Sequence, residues 1–122
     1  MEKKTRLTKS ADFQRVYRHG KSVAGRYAVL YYFERAGDSV EGVSRLGLSV
    51  SKKVGTATVR NLVKRTLKEC FRARQEQIAS NYDYVIIARP GLADFMEKSQ
   101  FEEVVEMMIE LFRRANLIQE TE

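Results

Sequence analysis

Apolar residues recur along this chain in two rhythms, one helical and one extended, and the switches between them predict its elements. Phe13, Val16 and Tyr17 fall at i, i+3 and i+4. They predict a short helix to about Arg18, with Thr8 or Ser10 as its cap and Gly20 as its C-terminal stop. Residues 27–33, Tyr-Ala-Val-Leu-Tyr-Tyr-Phe, are aromatic and β-branched and predict a buried strand. Ala36 to Ser44, with Gly37, Asp38 and Gly42, reads as a loop. From Arg45 to Ser51, Leu46, Leu48 and Val50 alternate with small or polar residues, which predicts a half-buried strand antiparallel to the first. Gly55 breaks the chain, and a long helix is expected from about Thr56 to Ile78. Residues 83–89, Asp-Tyr-Val-Ile-Ile-Ala-Arg, predict another strand, ended by Pro90-Gly91. Phe101, Val104, Val105, Met108 and Phe112 mark a final amphipathic helix. Glu102, Glu106 and Glu110 lie on its opposite side, where they read as solvated surface rather than an acid–base or metal cluster.

The chain's 122 residues suit one domain, residues 1–122, with a modest core. There are no internal repeats and no interdomain linker. No apolar run approaches the ~18 residues a membrane span needs, and Met1 to Ser10 lack the apolar stretch of a signal peptide. A cytoplasmic location is therefore expected. One cysteine, Cys70, rules out an internal disulfide, and one histidine, His19, leaves little for a metal cluster. Cys70 falls on an apolar helix face and reads as a core filler. No Ser/His/Asp set, H-E-x-x-H or paired-carboxylate motif is present, so no catalytic residue is assigned.

Charge changes the picture through its distribution. The net value is +6. Residues 1–26 hold eight Lys/Arg and two acids, and residues 52–74 hold eight Lys/Arg and only Glu69. Residues 75–122 reverse this, with four basic and ten acidic residues. Lys3, Lys4, Arg6 and Lys9 suggest a flexible basic arm over residues 1–9. Such sidedness is the expected footprint of a phosphate backbone.

The long helix is the most informative segment. On a wheel of about 100° per residue with Arg60 at zero, Asn61, Lys64, Arg65, Lys68 and Arg72 fall between roughly 40° and 140°. Val59, Val63, Thr66, Leu67 and Cys70 fall between roughly 240° and 340°. One face is apolar and the other almost wholly cationic. Lys52 and Lys53 extend the positive surface across a short loop. Arg60–Lys64, Lys64–Lys68 and Lys68–Arg72 are like-charge i, i+4 pairs, each costing an isolated helix ~0.2–0.5 kcal/mol. An external polyanion would neutralise that repulsion. Arginine's planar fork matches phosphate oxygens, lysine adds mobile charge, and the helix N-terminus adds N–H donors, with Gly55 allowing close backbone approach. Periodicity alone does not choose between RNA and DNA.

The run from Arg45 to Arg72, R-L-G-L-S-V-S-K-K-V-G-T-A-T-V-R-N-L-V-K-R-T-L-K-E-C-F-R, resembles the signature of the bacterial ribonuclease P protein family. Arg6-Leu7, Asp12-Phe13 and Val16-Tyr17-Arg18-His19-Gly20 resemble its N-terminal segment, and Tyr82 to Arg89 resembles its last strand. The resemblance spans nearly the whole chain. Arg60-Asn61-Leu62 departs from the family's usual Arg-Asn-Arg, and Thr56 stands where asparagine is common. The resemblance implies an α+β fold, a two-layer α/β sandwich in the order αβββαβα, related to topologies found in ribosomal proteins. It also implies an extra strand near Lys21 to Ala24 and a left-handed crossover around the basic helix, against the general right-handed rule.

The resemblance further implies a function. The family's protein assists a catalytic RNA that removes the 5′ leader of precursor tRNA, and the RNA holds the magnesium ions and does the chemistry. No cofactor bound by the protein is expected, and the expected partners are one RNA subunit, bound 1:1, and precursor tRNA. Lys52, Lys53, Arg60, Asn61, Lys64, Arg65, Lys68 and Arg72 would dock RNA. Phe13 and Tyr17 share one helix face, and Val29 and Tyr31 share one strand face by period two. These four would serve either as core or as an aromatic cleft stacking on unpaired bases, and the resemblance assigns the cleft to the leader. The rival readings are a ribosome-associated structural RNA-binding protein, a self-sufficient nuclease, and a DNA-binding regulator.

Overall fold

The extended segments predicted from their aromatic and β-branched residues are present in the computed structural model, which describes residues 5–36 and 44–119. Lys3, Lys4 and the loop residues Gly37, Asp38 and Gly42 lie outside the described residues. The elements run α1 Ser10–His19, β1 Lys21–Ala24, β2 Ala28–Glu34, β3 Arg45–Ser49, α2 Ala57–Ala73, β4 Tyr82–Ala88, α3 Leu92–Lys98 and α4 Phe101–Arg114. The fold is α+β, with one sheet in the order β1-β2-β4-β3.

β3 does run antiparallel to β2, but it is not β2's neighbour. It pairs in parallel with β4 (Leu46 with Tyr84, Leu48 with Ile86), while β4 pairs antiparallel with β2 (Leu30 with Ile86, Tyr31 with Val85). The reason is composition. Tyr84, Val85 and Ile86 are apolar on both faces and each 0 % exposed, so β4 takes a position covered on both sides. The β3–α2–β4 connection is then the helical crossover that parallel neighbours require.

The two sheet faces are covered differently. Leu30, Leu46, Tyr84 and Ile86 meet Val63, Leu67, Phe71, Val105, Met108 and Phe112 of α2 and α4 in the main core. The other face carries Val85, covered by Leu7 and by Val16 of α1, with Phe13, Tyr17, Tyr31, Phe33 and Ile87 packed partly buried around them. Leu7 is 3 % exposed and its N–H donates to the Leu46 carbonyl at 3.0 Å, so the segment expected as a free arm is docked on β3 by that point.

Several boundaries differ from expectation. Neither Thr8 nor Ser10 caps α1, whose N-cap is Lys9 without a side-chain bond. Gly20 ends it with φ −88°, so its role is proximity: a Cβ there would lie 2.4 Å from the Tyr32 carbonyl oxygen and 2.6 Å from that of Val16. α2 stops at Ala73 rather than Ile78. A 3-10 turn over Gln75–Gln77 redirects the chain so that Ile78 bridges Ile118 and enters the core. α3 was not expected. Seven residues are too few to show a helical period, although Asp94 in its first turn and Lys98 in its last suit a helix dipole. Gln100 and Glu103 form a reciprocal capping box at the start of α4. Phe101 was expected on the buried stripe of α4 but is 43 % exposed, because it sits in the first turn at the margin of the core.

Candidate nucleic-acid interface

α2 is oriented by its apolar stripe. Val63, Leu67, Cys70 and Phe71 are buried, which leaves Asn61, Arg65 and Arg72 exposed and Arg60, Lys64 and Lys68 half-buried. Thr56 caps the helix, its Oγ1 accepting from the Val59 N–H at 3.4 Å. The room that Gly55 leaves is used within the protein: a Cβ there would lie 2.8 Å from Val59 Cγ1. Arg60 Nη1 donates to the Gly55 carbonyl at 3.1 Å, which steadies its guanidinium over the helix start. Lys52 and Lys53 are exposed on the turn between β3 and α2, where the Val54 N–H donates to the Ser51 carbonyl at 3.0 Å.

α2 therefore carries Arg60, Asn61, Lys64, Arg65, Lys68 and Arg72 away from its buried stripe, and Lys52 and Lys53 precede it on the exposed turn. Among the described residues no carboxylate forms an ion pair with any of these cations. Arg74, just beyond the stripe, is the cation of this segment that does pair, with Glu102 at 2.9 Å. The acidic C-terminal part thus touches the end of α2 and leaves the stripe open. Leu62 points elsewhere. It is 55 % exposed and lines, with Val54, Val59, Val63, Met96 and Phe101, an apolar groove of about 640 Å³ between α2, α3 and the start of α4.

On the opposite face of the sheet, α1 brings Phe13 and Tyr17 to Tyr31. The Tyr17 and Tyr31 rings meet edge to face at 5.1 Å, and Phe13 lies 6.3 Å from Tyr17. Phe13, Tyr17, Val29 and Tyr31 are all half-buried, whereas Val16 between them is 0 % exposed and anchors the helix. Phe13, Tyr17 and Tyr31 thus form one half-buried aromatic surface packed against Leu7, Val16 and Val85, with Val29 on the same face of β2. Phe33, Ile87 and Ser49 complete it and were missed. Phe33 shares the period-two face of Val29 and Tyr31, while Ile87 pairs with Val29 and Ser49 with Ile87 across the sheet. Burial raises the Tyr17 pKa, a hydrogen bond with Ser49 pulls it down, and neighbouring Tyr31 raises it. Tyr17 therefore stays an uncharged phenol at neutral pH.

An ion-pair chain holds α1 over the sheet. Asp83, 0 % exposed, accepts two hydrogen bonds from Arg45, at 2.8 and 2.7 Å, and one from Arg35 at 2.9 Å. Arg45 also reaches Asp12 of α1 at 3.6 Å, and Asp12 pairs with Arg15 at 2.8 Å. The hydrogen bond to Asp83 is the main reason the Arg45 pKa is raised. No group of three or more metal-ligating side chains occurs among the described residues. Nor is any helix among them long and apolar enough to cross a membrane.

A four-stranded sheet with a strongly cationic helix on one face and a half-buried aromatic surface on the other defines the class to which this chain belongs, that of small α+β proteins with a basic helix exposed to solvent. Comparison with known proteins narrows the class. The Ribonuclease P family model matches residues 1–116. The ribonuclease P protein component of Geobacillus kaustophilus is 40% identical over 115 residues, covering 94% of this chain and 89% of its own. That of Caldanaerobacter subterraneus is 40% identical over 121 residues, covering 99% and 97%. The Staphylococcus aureus RNase P protein superposes with a TM-score of 0.80 at 33% identity, covering 94% of this chain and 98% of its own. The Thermotoga maritima protein gives 0.78 at 35%, covering 89% and 96%. The chain belongs to the ribonuclease P protein family.

Proposed function

We propose that this chain is the protein subunit of a ribonuclease P holoenzyme, bound 1:1 to a catalytic RNA in the cytoplasm, and that it holds the 5′ leader of precursor tRNA while the RNA cleaves it. Family membership supports the assignment, and the observation that carries the mechanism is the carboxylate-free cationic face on α2. Lys52, Lys53, Arg60, Lys64, Arg65, Lys68 and Arg72 neutralise phosphates of folded RNA, and Asn61 adds a hydrogen-bonding amide between them. Phe13, Tyr17 and Tyr31 offer ring faces to unpaired leader bases, a contact worth ~1–3 kcal/mol per base and tolerant of sequence. The protein contributes binding and orientation. Magnesium ions held by the RNA subunit supply the chemistry, and the chain itself binds no cofactor.

Reconstitution tests this. Adding the protein to the catalytic RNA at low magnesium should restore leader removal, and affinity should rise for precursor tRNA but little for mature tRNA. Equal gains for both would remove the leader from the cleft. Lys64→Glu should abolish RNA docking while leaving the fold intact, because Lys64 makes no internal ion pair. Normal RNA binding by that variant would displace the docking face from α2.

A further inference from the structure

Two large apolar side chains stay exposed among the described residues, Leu62 at 55 % and Phe101 at 43 %. They come from different helices, yet both line the groove between α2, α3 and the start of α4. Its floor is the buried Val54, Val63 and Val104. At about 640 Å³ it falls within the ~300–1,000 Å³ of sites that hold small organic groups. Single apolar residues scattered over a surface need no explanation, but two gathered over one apolar floor mark a place where something binds.

Charge says what. On the α2 side Arg65 stands one turn beyond Leu62, at i+3, where side chains are neighbours. On the α3 side the groove is lined by Asp94 and Glu97. All three are exposed, and none forms an ion pair among the described residues. One lip is therefore cationic and the other anionic. A phosphate backbone is drawn to Arg65 and repelled by Asp94 and Glu97, so it cannot lie along the groove. A nucleobase can enter it, because its faces are apolar and its amino edge donates to carboxylates. A stable protein interface buries about 800 Å² on each partner around an apolar centre, more than one groove with two exposed apolar side chains offers. A base needs only a ring face and an edge.

We infer that the groove receives one unpaired, amino-bearing base of the RNA that docks on α2, stacked against Phe101 and Leu62 with its edge toward Asp94 and Glu97, while Arg65 holds the phosphate beside it. This rests on the docking of RNA through α2, as proposed above. Leu62 stands where the Arg-Asn-Arg pattern has its second arginine. A leucine there gives up a phosphate contact and supplies apolar surface to a base. The consequence is a portion of the affinity for RNA that does not depend on salt, since apolar contact releases no counterions.

The test measures binding of the full chain to the catalytic RNA over a range of salt, and footprints the complex with dimethyl sulfate and kethoxal, which read the pairing edges of unpaired adenine, cytosine and guanine. Leu62→Ala and Phe101→Ala are compared with the unmodified protein. Each should weaken binding by about tenfold, the order of one lost base stack, and leave the slope of log affinity against log salt unchanged. At saturating protein, one base shielded by the unmodified chain should become reactive again in both variants. Leu62 is exposed, so its truncation opens no cavity, and an unchanged urea midpoint for Leu62→Ala shows that the loss is not one of folding. Unaltered affinity and footprint in Leu62→Ala overturn the base pocket and leave the groove to a protein partner. A loss of affinity with a shallower salt slope overturns it too, by putting backbone phosphate in the groove. Normal binding by Lys64→Glu would instead overturn docking through α2 itself, whatever the Leu62 and Phe101 variants do.

Discussion

Gly47 is where the packing of α1 can be tested with one methyl group. It lies in β3 on the face that receives α1, and a Cβ added there would sit 2.6 Å from Phe13 Cζ, 3.0 Å from Phe13 Cε2 and 3.0 Å from Leu7 Cβ. Carbon atoms prefer ~3.5–4.0 Å, so the Phe13 ring must retreat by about 1 Å. Leu7 has little room to do so, since its N–H is tied to the Leu46 carbonyl at 3.0 Å. Nor can α1 lift freely, with Val16 buried beneath it and Asp12 held by Arg45.

Overpacking of this kind costs about 1–3 kcal/mol, and restricting the unfolded chain returns about 0.4–1 kcal/mol. Gly47→Ala should therefore destabilise the protein by roughly 1–2 kcal/mol, or about 4–8 °C in Tm for a domain of this size. Urea unfolding followed by circular dichroism reads the first figure and a thermal scan the second. Phe13→Leu in the Gly47→Ala background should recover part of the loss, so that a double-mutant cycle gives a favourable coupling between the two changes. A Gly47→Ala protein as stable as the unmodified one, or a cycle with no coupling, would refute the account of α1 pressed onto β3 through this glycine.

Other changes should act by different means. At Gly20 the obstructing atoms are two backbone carbonyl oxygens that cannot rotate away, at 2.4 and 2.6 Å from an added Cβ. Gly20→Ala should cost more than Gly47→Ala, about 3 kcal/mol or above, measured by urea midpoint. Asp83→Asn leaves Arg45 and Arg35 without their buried carboxylate and should cost about 3 kcal/mol. A variant that also carries Arg45→Met should be less damaged than additivity of the two changes predicts. Cys70 is 0 % exposed, and burial, followed by the charges of Glu69 and Glu102, pushes its thiol up from 9.0 to about 12. It should resist disulfide reagents at mildly alkaline pH until the protein unfolds. Between about pH 9 and 12 the unfolded chain releases a thiol proton that the folded chain keeps, so stability should fall as pH rises through that window, and Cys70→Ala should reduce the slope.

Much of this architecture was legible because local composition and burial agree. The strands come from runs whose aromatic and β-branched residues do bury, and the two faces of α2 follow from spacing alone. The spacing also fixes where the cations of α2 lie, because a helix with Val63, Leu67 and Cys70 inward has no other way to turn Lys64, Lys68 and Arg65. Strand order was less accessible. Whether β3 joins β2 or β4 depends on which strand needs both faces covered, a property of the whole sheet. The Asp83–Arg45 pair gave only one hint, an acid at the head of an apolar run. Leu62 and Phe101 are apolar, yet they end up half outside because the groove between α2 and α3 stays open. Ser49 became part of the cleft only when the register placed it beside Ile87 and within hydrogen-bonding reach of Tyr17.

The contiguity of the motif from Arg45 to Lys53 has a physical basis in this geometry. Alternate residues of β3 face opposite ways. Leu46 and Leu48 enter the main core, while Arg45, Gly47 and Ser49 face α1. Arg45 binds Asp12 of α1 and Asp83 of the sheet, Gly47 admits Phe13, and Ser49 bonds Tyr17. One strand thereby sets the height, approach and ring orientation of the helix that forms one wall of the cleft. The chain then turns through Lys52 and Lys53 into the cationic helix. The aromatic surface and the cationic face of α2 are therefore joined by the short stretch of backbone between Ser49 and Ala57, so that docking through α2, as proposed above, would place the cleft close to the RNA. A lengthened β3–α2 turn should accordingly weaken discrimination between precursor and mature tRNA while sparing affinity for the catalytic RNA alone, a separation that deletions elsewhere on the surface would not produce.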